Sequence, residues 1–117
     1  MMRVVTIVLI LTASVPASYA VGALARNPRN NESAVVINKP NNESAEHDAL
    51  LACGNDCQIV KVFQNSCISY AADHQEGSTG CGYGQASSPR QADEMALDRC
   101  QENGGSCTVM SSGCDLR

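Results

Sequence analysis

The chain has 117 residues, with 12 acidic against 8 basic side chains for a formal net charge of -4, seven cysteines, no tryptophan and 3% aromatic residues. That length holds one domain at most, and the acidic balance lacks the cationic surface that drives phosphate-backbone binding, which excludes nucleic acid as a partner. Beyond the first segment no apolar run is long enough to span a bilayer, so no integral membrane segment is expected after processing.

The first segment reads as an address. Met1, Met2 and Arg3 form a short basic start, Val4 to Leu11 is nearly all aliphatic, and Ser18-Tyr19-Ala20 sets small residues around a larger one. That succession predicts a secretory signal peptide over 1–20, cleaved after Ala20. No cysteine follows closely, so lipidation is not indicated. The mature part, 21–117, is expected as a single disulfide-containing α+β domain, secreted or periplasmic. Its only aromatic residues are Phe63, Tyr70 and Tyr83. A core built from small and aliphatic side chains sits near the margin of stability, where disulfides contributing roughly 2–4 kcal/mol each matter.

The elements follow in chain order. Val21–Ala25 and Val35–Asn38 are weak strands, and Asn41 caps a helix predicted over about 42–53, with Ala45, Ala49, Leu50 and Cys53 at helical spacing. Cys57–Phe63 alternates and is β-branched, as a half-buried strand should be. Cys67–Ala72 and Gly80–Gln85 are weaker strands. Ser88-Pro89-Arg90-Gln91 is a capping-box start with proline at the first helical position, opening a helix over about 89–100. Cys107–Ser111 closes the series as a strand. The pattern predicts a small antiparallel sheet with two helices on one face, built from a duplicated β-β-α-β unit and stapled by disulfides.

An offset of 47 residues carries the duplication. It relates Ala49-Leu50-x-x-Cys53 to Ala96-Leu97-x-x-Cys100, Ala45 to Ala92, Ala25 to Ala72 and Cys67 to Cys114, giving units of about 21–67 and 68–114. Cys81 falls outside this frame. A helix-terminal cysteine and the next strand's cysteine are close in sequence, so Cys53 is paired with Cys57 and Cys100 with Cys107. Equivalent residues meet near a two-fold axis, so Cys67 is paired with Cys114. Six cysteines admit fifteen connectivities, and the repeat alone selects this one. A zinc site at Cys53, Cys57, Cys100 and Cys107 competes, but an exported chain without paired CxxC knuckles favours bridges. Cys81 is left as a free thiol, either packed as a small apolar residue or available for an intermolecular bridge that would make a dimer.

Val21-Gly22-Ala23-Leu24-Ala25, Ala49-Leu50-x-x-Cys53, Asp56-Cys57-Gln58-Ile59-Val60-x-x-Phe63-x-Asn65-x-Cys67, Gly82-Tyr83-Gly84 and Gln91-Ala92-Asp93-Glu94-x-Ala96-Leu97-x-x-Cys100 together resemble the bacterial exported domain of unknown function family 4189. The resemblance spans residues 21–114. Val21 and Cys81 stand where that family tends to carry an aromatic residue. It implies export and an α+β domain, and brings no catalytic residues to transfer.

Three groups of residues admit a chemical role beside a plainer one. Cys81 with His74 would make a thiol nucleophile, but His74 lies in the polar turn Asp73-His74-Gln75-Glu76-Gly77, and His47 is the only other histidine. Gly77, Gly80, Gly82 and Gly84 lack the spacing of a dinucleotide fingerprint, and close backbone packing under a helix explains them more simply. Glu46, Asp48, Asp93, Glu94 and Asp98 form either an acidic docking face or a solvated helix surface. Asn31-Glu32-Ser33 and Asn42-Glu43-Ser44 match the glycosylation acceptor, which matters only in a eukaryotic secretory pathway. No catalytic, cofactor or metal residues are assigned. The expected function is an exported, non-enzymatic interaction module binding an unknown protein or envelope component, for instance a periplasmic inhibitor or immunity protein, or a secreted factor acting on a host. The alternative is a small secreted enzyme, thiol-dependent or a cell-wall hydrolase.

Overall fold

A computed structural model describes residues 20–75, 77–78 and 80–116, so the expected signal segment, Ala20 apart, lies outside the described residues. The elements run β1 (Val21–Arg26), β2 (Ser33–Lys39), α1 (Asn42–Cys53), β3 (Gln58–Phe63), β4 (Ser66–Asp73), β5 (Cys81–Ala86), α2 (Pro89–Asn103) and β6 (Cys107–Asp115). Both helices begin where their caps dictate. The Asn41 side chain accepts the Ser44 N–H at 2.8 Å and the Ser88 hydroxyl accepts the Gln91 N–H at 3.2 Å, each satisfying one orphan donor of the first turn. Among the described residues no helix is long and apolar enough to cross a membrane.

The strands form two antiparallel sheets of three rather than one. Their orders are β2-β1-β3 and β5-β4-β6, so each half repeats the same β-β-α-β topology with its first strand in the middle. The halves stack in four layers. Val21, Ala23 and Ala25 pack against Ala45, Ala49 and Cys53 of α1, and Ala71 packs against Ala96 and Cys100 of α2. Between the sheets lie Leu24 and Phe63 from one side and Ile68, Tyr70 and Ala72 from the other. The small residues facing each helix let it lie close to its sheet, while the few large side chains are spent between the sheets. A sheet covered by a helix on one face and a second sheet on the other is buried on both, which is why β1 and β4 are nearly continuous apolar runs.

The structure corrects the register of the repeat. In the helices the offset of 47 holds, with Ala45 and Ala92, Ala49 and Ala96, and Cys53 and Cys100 all buried against their sheets. In the first strands it does not. Leu24 and Tyr70 both point between the sheets and Ala25 and Ala71 both face a helix, an offset of 46. Matching Ala25 to Ala72 would put equivalent residues on opposite faces, because a slip of one residue inverts a strand's side chains. Both inner ladders also break register at this point, between Leu24 and Ala25 and between Tyr70 and Ala71.

Three disulfides are present, Cys53–Cys57, Cys67–Cys114 and Cys100–Cys107, and Cys81 is a free thiol. The first and third tie each helix end to the start of the following strand. The second differs in kind from the two-fold contact expected of it. The turn at Gln64–Asn65, with Asn65 at φ 51, comes before β4, so Cys67 is the second residue of that strand and faces Cys114 directly in the β4–β6 ladder. The bridge therefore clamps the second sheet internally instead of joining the two halves.

Candidate functional site

Two loops leave the same end of the sheet stack, Asn27–Glu32 after β1 and His74–Gly80 after β4. Each begins with a buried polar residue in the equivalent position, Asn27 at 7% and Asp73 at 5% exposure. Each accepts the backbone N–H two residues on, Arg29 onto Asn27 at 2.8 Å and Gln75 onto Asp73 at 2.9 Å. Such local side-chain turns substitute for the ladder bonds that end there. Backbone bonds close both loops, Asn27 N–H to Glu32 O at 2.7 Å and Asp73 N–H to Gly80 O at 2.9 Å. Asn27 reaches further, donating to Asn55 O at 3.2 Å.

Asp73 is the stronger anchor. Its second oxygen accepts the Ser78 hydroxyl and the Gly105 N–H, both at 2.9 Å. The backbone N–H groups of Gln75 and Gly105 hold its carboxyl below the ordinary value of 3.8, overcoming the opposing effect of burial. A depressed folded-state value gives stability that is present above the unfolded value and lost as pH falls through the folded one. Asp73→Asn is expected to lower the Tm by roughly 5–10 °C at pH 7 through lost charge-assisted hydrogen bonds. The gap to the parent should close below about pH 4, as thermal melts across pH would read directly.

A second cluster joins the two sheets beside these loops. The Tyr70 hydroxyl donates to Asn31 Oδ1 at 2.6 Å, and Arg26 Nη1 lies 3.5 Å from the same oxygen and 3.4 Å from Cys81 Sγ. Asn31 holds this position with φ 62, a conformation asparagine tolerates better than most residues. Burial pushes the Tyr70 phenol up to about 12, so it stays a neutral donor until strongly alkaline pH. Between the loops lies a polar cavity of about 280 Å³, lined by Arg29, Asn31, Asp73 and His74 among others.

His74 thus lines the cavity, and the side chain beside the Cys81 thiol is Arg26. The expected acidic face is broken up. Asp93 accepts the buried Ser69 hydroxyl, Asp48 pairs with Lys39 at 2.7 Å, and Glu94 pairs with Arg90 at 3.4 Å. Glu46 is half-buried, Asp98 is exposed, and His47 lines a shallow groove on α1 with Leu50 and Leu51. Gly82 and Gly84 lie directly under the α2 backbone. Cys53, Cys57, Cys100 and Cys107 spend their sulfurs on bridges, so they offer no thiolates to a metal. Among the described residues no group of three His, Cys, Asp or Glu side chains converges as ligands would.

These features define a small α+β domain of four layers, stapled by three disulfides, with a polar loop end beside one free thiol. By sequence the chain belongs to the family described as domain of unknown function DUF4189, whose model matches residues 21–114. No curated protein and no solved structure matches it.

Proposed function

We propose that this chain is an exported, non-enzymatic interaction module that presents its loop end to another macromolecule. Concrete forms are a periplasmic inhibitor or immunity protein of a bacterium, or a secreted factor acting on a host. The reading is supported chiefly by the preorganisation of that end. Asn27 and Asp73 tie the described parts of both loops to the ends of β1 and β4, and three bridges fix the body behind them, which lowers the conformational freedom lost on association. The bridges fit an oxidising compartment, and the proposed location is the periplasm or the extracellular space.

The test is a pull-down from envelope and culture-fluid fractions with the full chain. It is run beside an Arg29→Glu/His74→Glu variant, with the captured protein then purified and titrated against both. Stoichiometric binding to the parent and a loss of at least tenfold in the variant is the expected result. No stoichiometric partner, or equal binding to both chains, would overturn the reading. The rival reading, a thiol-dependent enzyme, draws on the free Cys81 thiol with Arg26 Nη1 3.4 Å from its sulfur. An activity abolished by Cys81→Ser would put it first.

A further inference from the structure

We propose that Asn103 is a deamidation site, and that its conversion to aspartate and isoaspartate unfastens the end of α2 from the edge strand β5. Asn103 and Gly104 form the one Asn-Gly step in the sequence. Deamidation starts when the backbone nitrogen of the following residue reaches the asparagine side-chain carbonyl carbon. Glycine, with no Cβ, hinders that approach least. The fold sets this step on the surface. α1 stops at Cys53, whereas α2 runs past the equivalent Cys100 to Asn103, which is exposed. The chain then leaves the helix at Gly104 with φ -165 and ψ -161.

What Asn103 holds gives the conversion its effect. Its side-chain amide donates to Cys81 O at 3.3 Å and to Arg99 O at 3.2 Å, while Arg99 Nη1 donates to Tyr83 O at 3.0 Å. Two side chains from α2 thus cover carbonyls of β5, an edge strand whose ladder partner is β4. In the reaction the Gly104 nitrogen, its proton lost to hydroxide, attacks Asn103 Cγ. The new N–Cγ bond closes a cyclic imide as the Cγ–Nδ2 bond breaks, and ammonia leaves with a proton from water. Water then opens the imide at either carbonyl, breaking one C–N bond and leaving a carboxylate on aspartate or isoaspartate. Neither step changes an oxidation state. The carboxylate has no proton to donate to the two carbonyls. It also sits at the C-terminal end of a helix, where negative charge is disfavoured and the last turn holds no basic residue. Isoaspartate further lengthens the main chain by one carbon, two residues before Gly105, whose N–H holds Asp73 at 2.9 Å.

The full chain is incubated in mildly alkaline buffer, where the attacking nitrogen loses its proton more readily. Samples are mapped by peptide mass spectrometry, with isoaspartate read by enzymatic methylation. Conversion is expected at Asn103 ahead of every other asparagine, Asn65 before Ser66 included. It should run about tenfold slower than in a free peptide of the same sequence, because two exposed hydrogen bonds must open first. The converted chain, separated by its added charge, should melt roughly 4–8 °C below the parent. Asn103→Gln keeps an amide but closes its larger imide ring far more slowly, so that chain should hold its Tm through the same incubation. The converted parent gives the reading even if that variant does not fold. Earlier conversion at another asparagine, a rate equal to the free peptide's, a converted chain melting with the parent, or an equal loss of Tm in the Asn103→Gln chain would each overturn the proposal.

Discussion

Replacing both Cys67 and Cys114 by alanine is expected to lower the Tm by roughly 15–30 °C, the largest effect of any pair of substitutions considered for this chain. The bridge spans 47 residues, the longest of the three. Chain entropy makes a loop of that length worth about 4 kcal/mol, against about 2 kcal/mol for the short Cys53–Cys57 loop. Location adds to length. The two cysteines face one another at the closed end of the β4–β6 ladder, and the segment they enclose is β4, β5, α2 and β6, the whole second half. Without the bridge, that half relies on an interface whose buried helix residues are Ala92, Ala96 and Cys100. Calorimetry of the Cys67→Ala/Cys114→Ala chain beside Cys53→Ala/Cys57→Ala reads the difference. Equal losses in the two would show that the clamp has no special place in the fold.

Gly82→Ala and Gly84→Ala should each cost about 3 kcal/mol, at the upper end of what overpacking does. A methyl at Gly82 would lie 2.6 Å from Cys100 N and 2.7 Å from Arg99 Cβ. At Gly84 it would lie 2.5 Å from both Ala92 O and Met95 Cβ. These neighbours are helix backbone and Cβ atoms that no rotamer change moves aside. The first half shows the contrast. Val35 and Tyr83 hold equivalent places between the sheets, which matches Gly82 and Gly84 to Ala34 and Val36 of β2. Glycine thus lets α2 sit nearer its edge strand than α1 does. Gly105→Ala is the control, since its added methyl meets only Asp73 Oδ2 at 3.4 Å. That change should fall within about 0.5 kcal/mol of the parent. Denaturant melts of the three variants measure these differences, and a Gly82 variant as stable as the control would contradict the packing described.

Local chemistry explains which parts of this architecture could be read in advance. The two helices announced themselves through Asn41, Ser88 and alanines at helical spacing, because caps and helical periodicity act within a few residues. The α+β class followed from the same order of elements. Division into two stacked sheets is a matter of long-range pairing, and alternation within a strand says which residues share a face without saying what covers it. The same ambiguity hid the one-residue slip at Leu24 and Tyr70, where both faces of the strand are apolar and periodicity gives no register. An offset of 47 relates Cys67 to Cys114 and so ends the first unit at 67, whereas the two cysteines are cross-strand neighbours within the second sheet, a pairing that spacing alone does not show.

The loop end was harder to foresee. Arg26, Asn31, Tyr70 and Cys81 are far apart in sequence and meet only when the sheets stack. One signal was present. Asn27 and Asp73 each end an apolar run with a short polar side chain that can bond its own backbone two residues on. Reading them as equivalent anchors would have placed both loops together.

Disulfide mapping of the exported protein under non-reducing conditions, with free thiols blocked beforehand, addresses the stapled scaffold itself. The account predicts peptides joined as Cys53–Cys57, Cys67–Cys114 and Cys100–Cys107, with the blocking label carried by Cys81 alone. Finding Cys81 bridged to any of the other six within one molecule would contradict it.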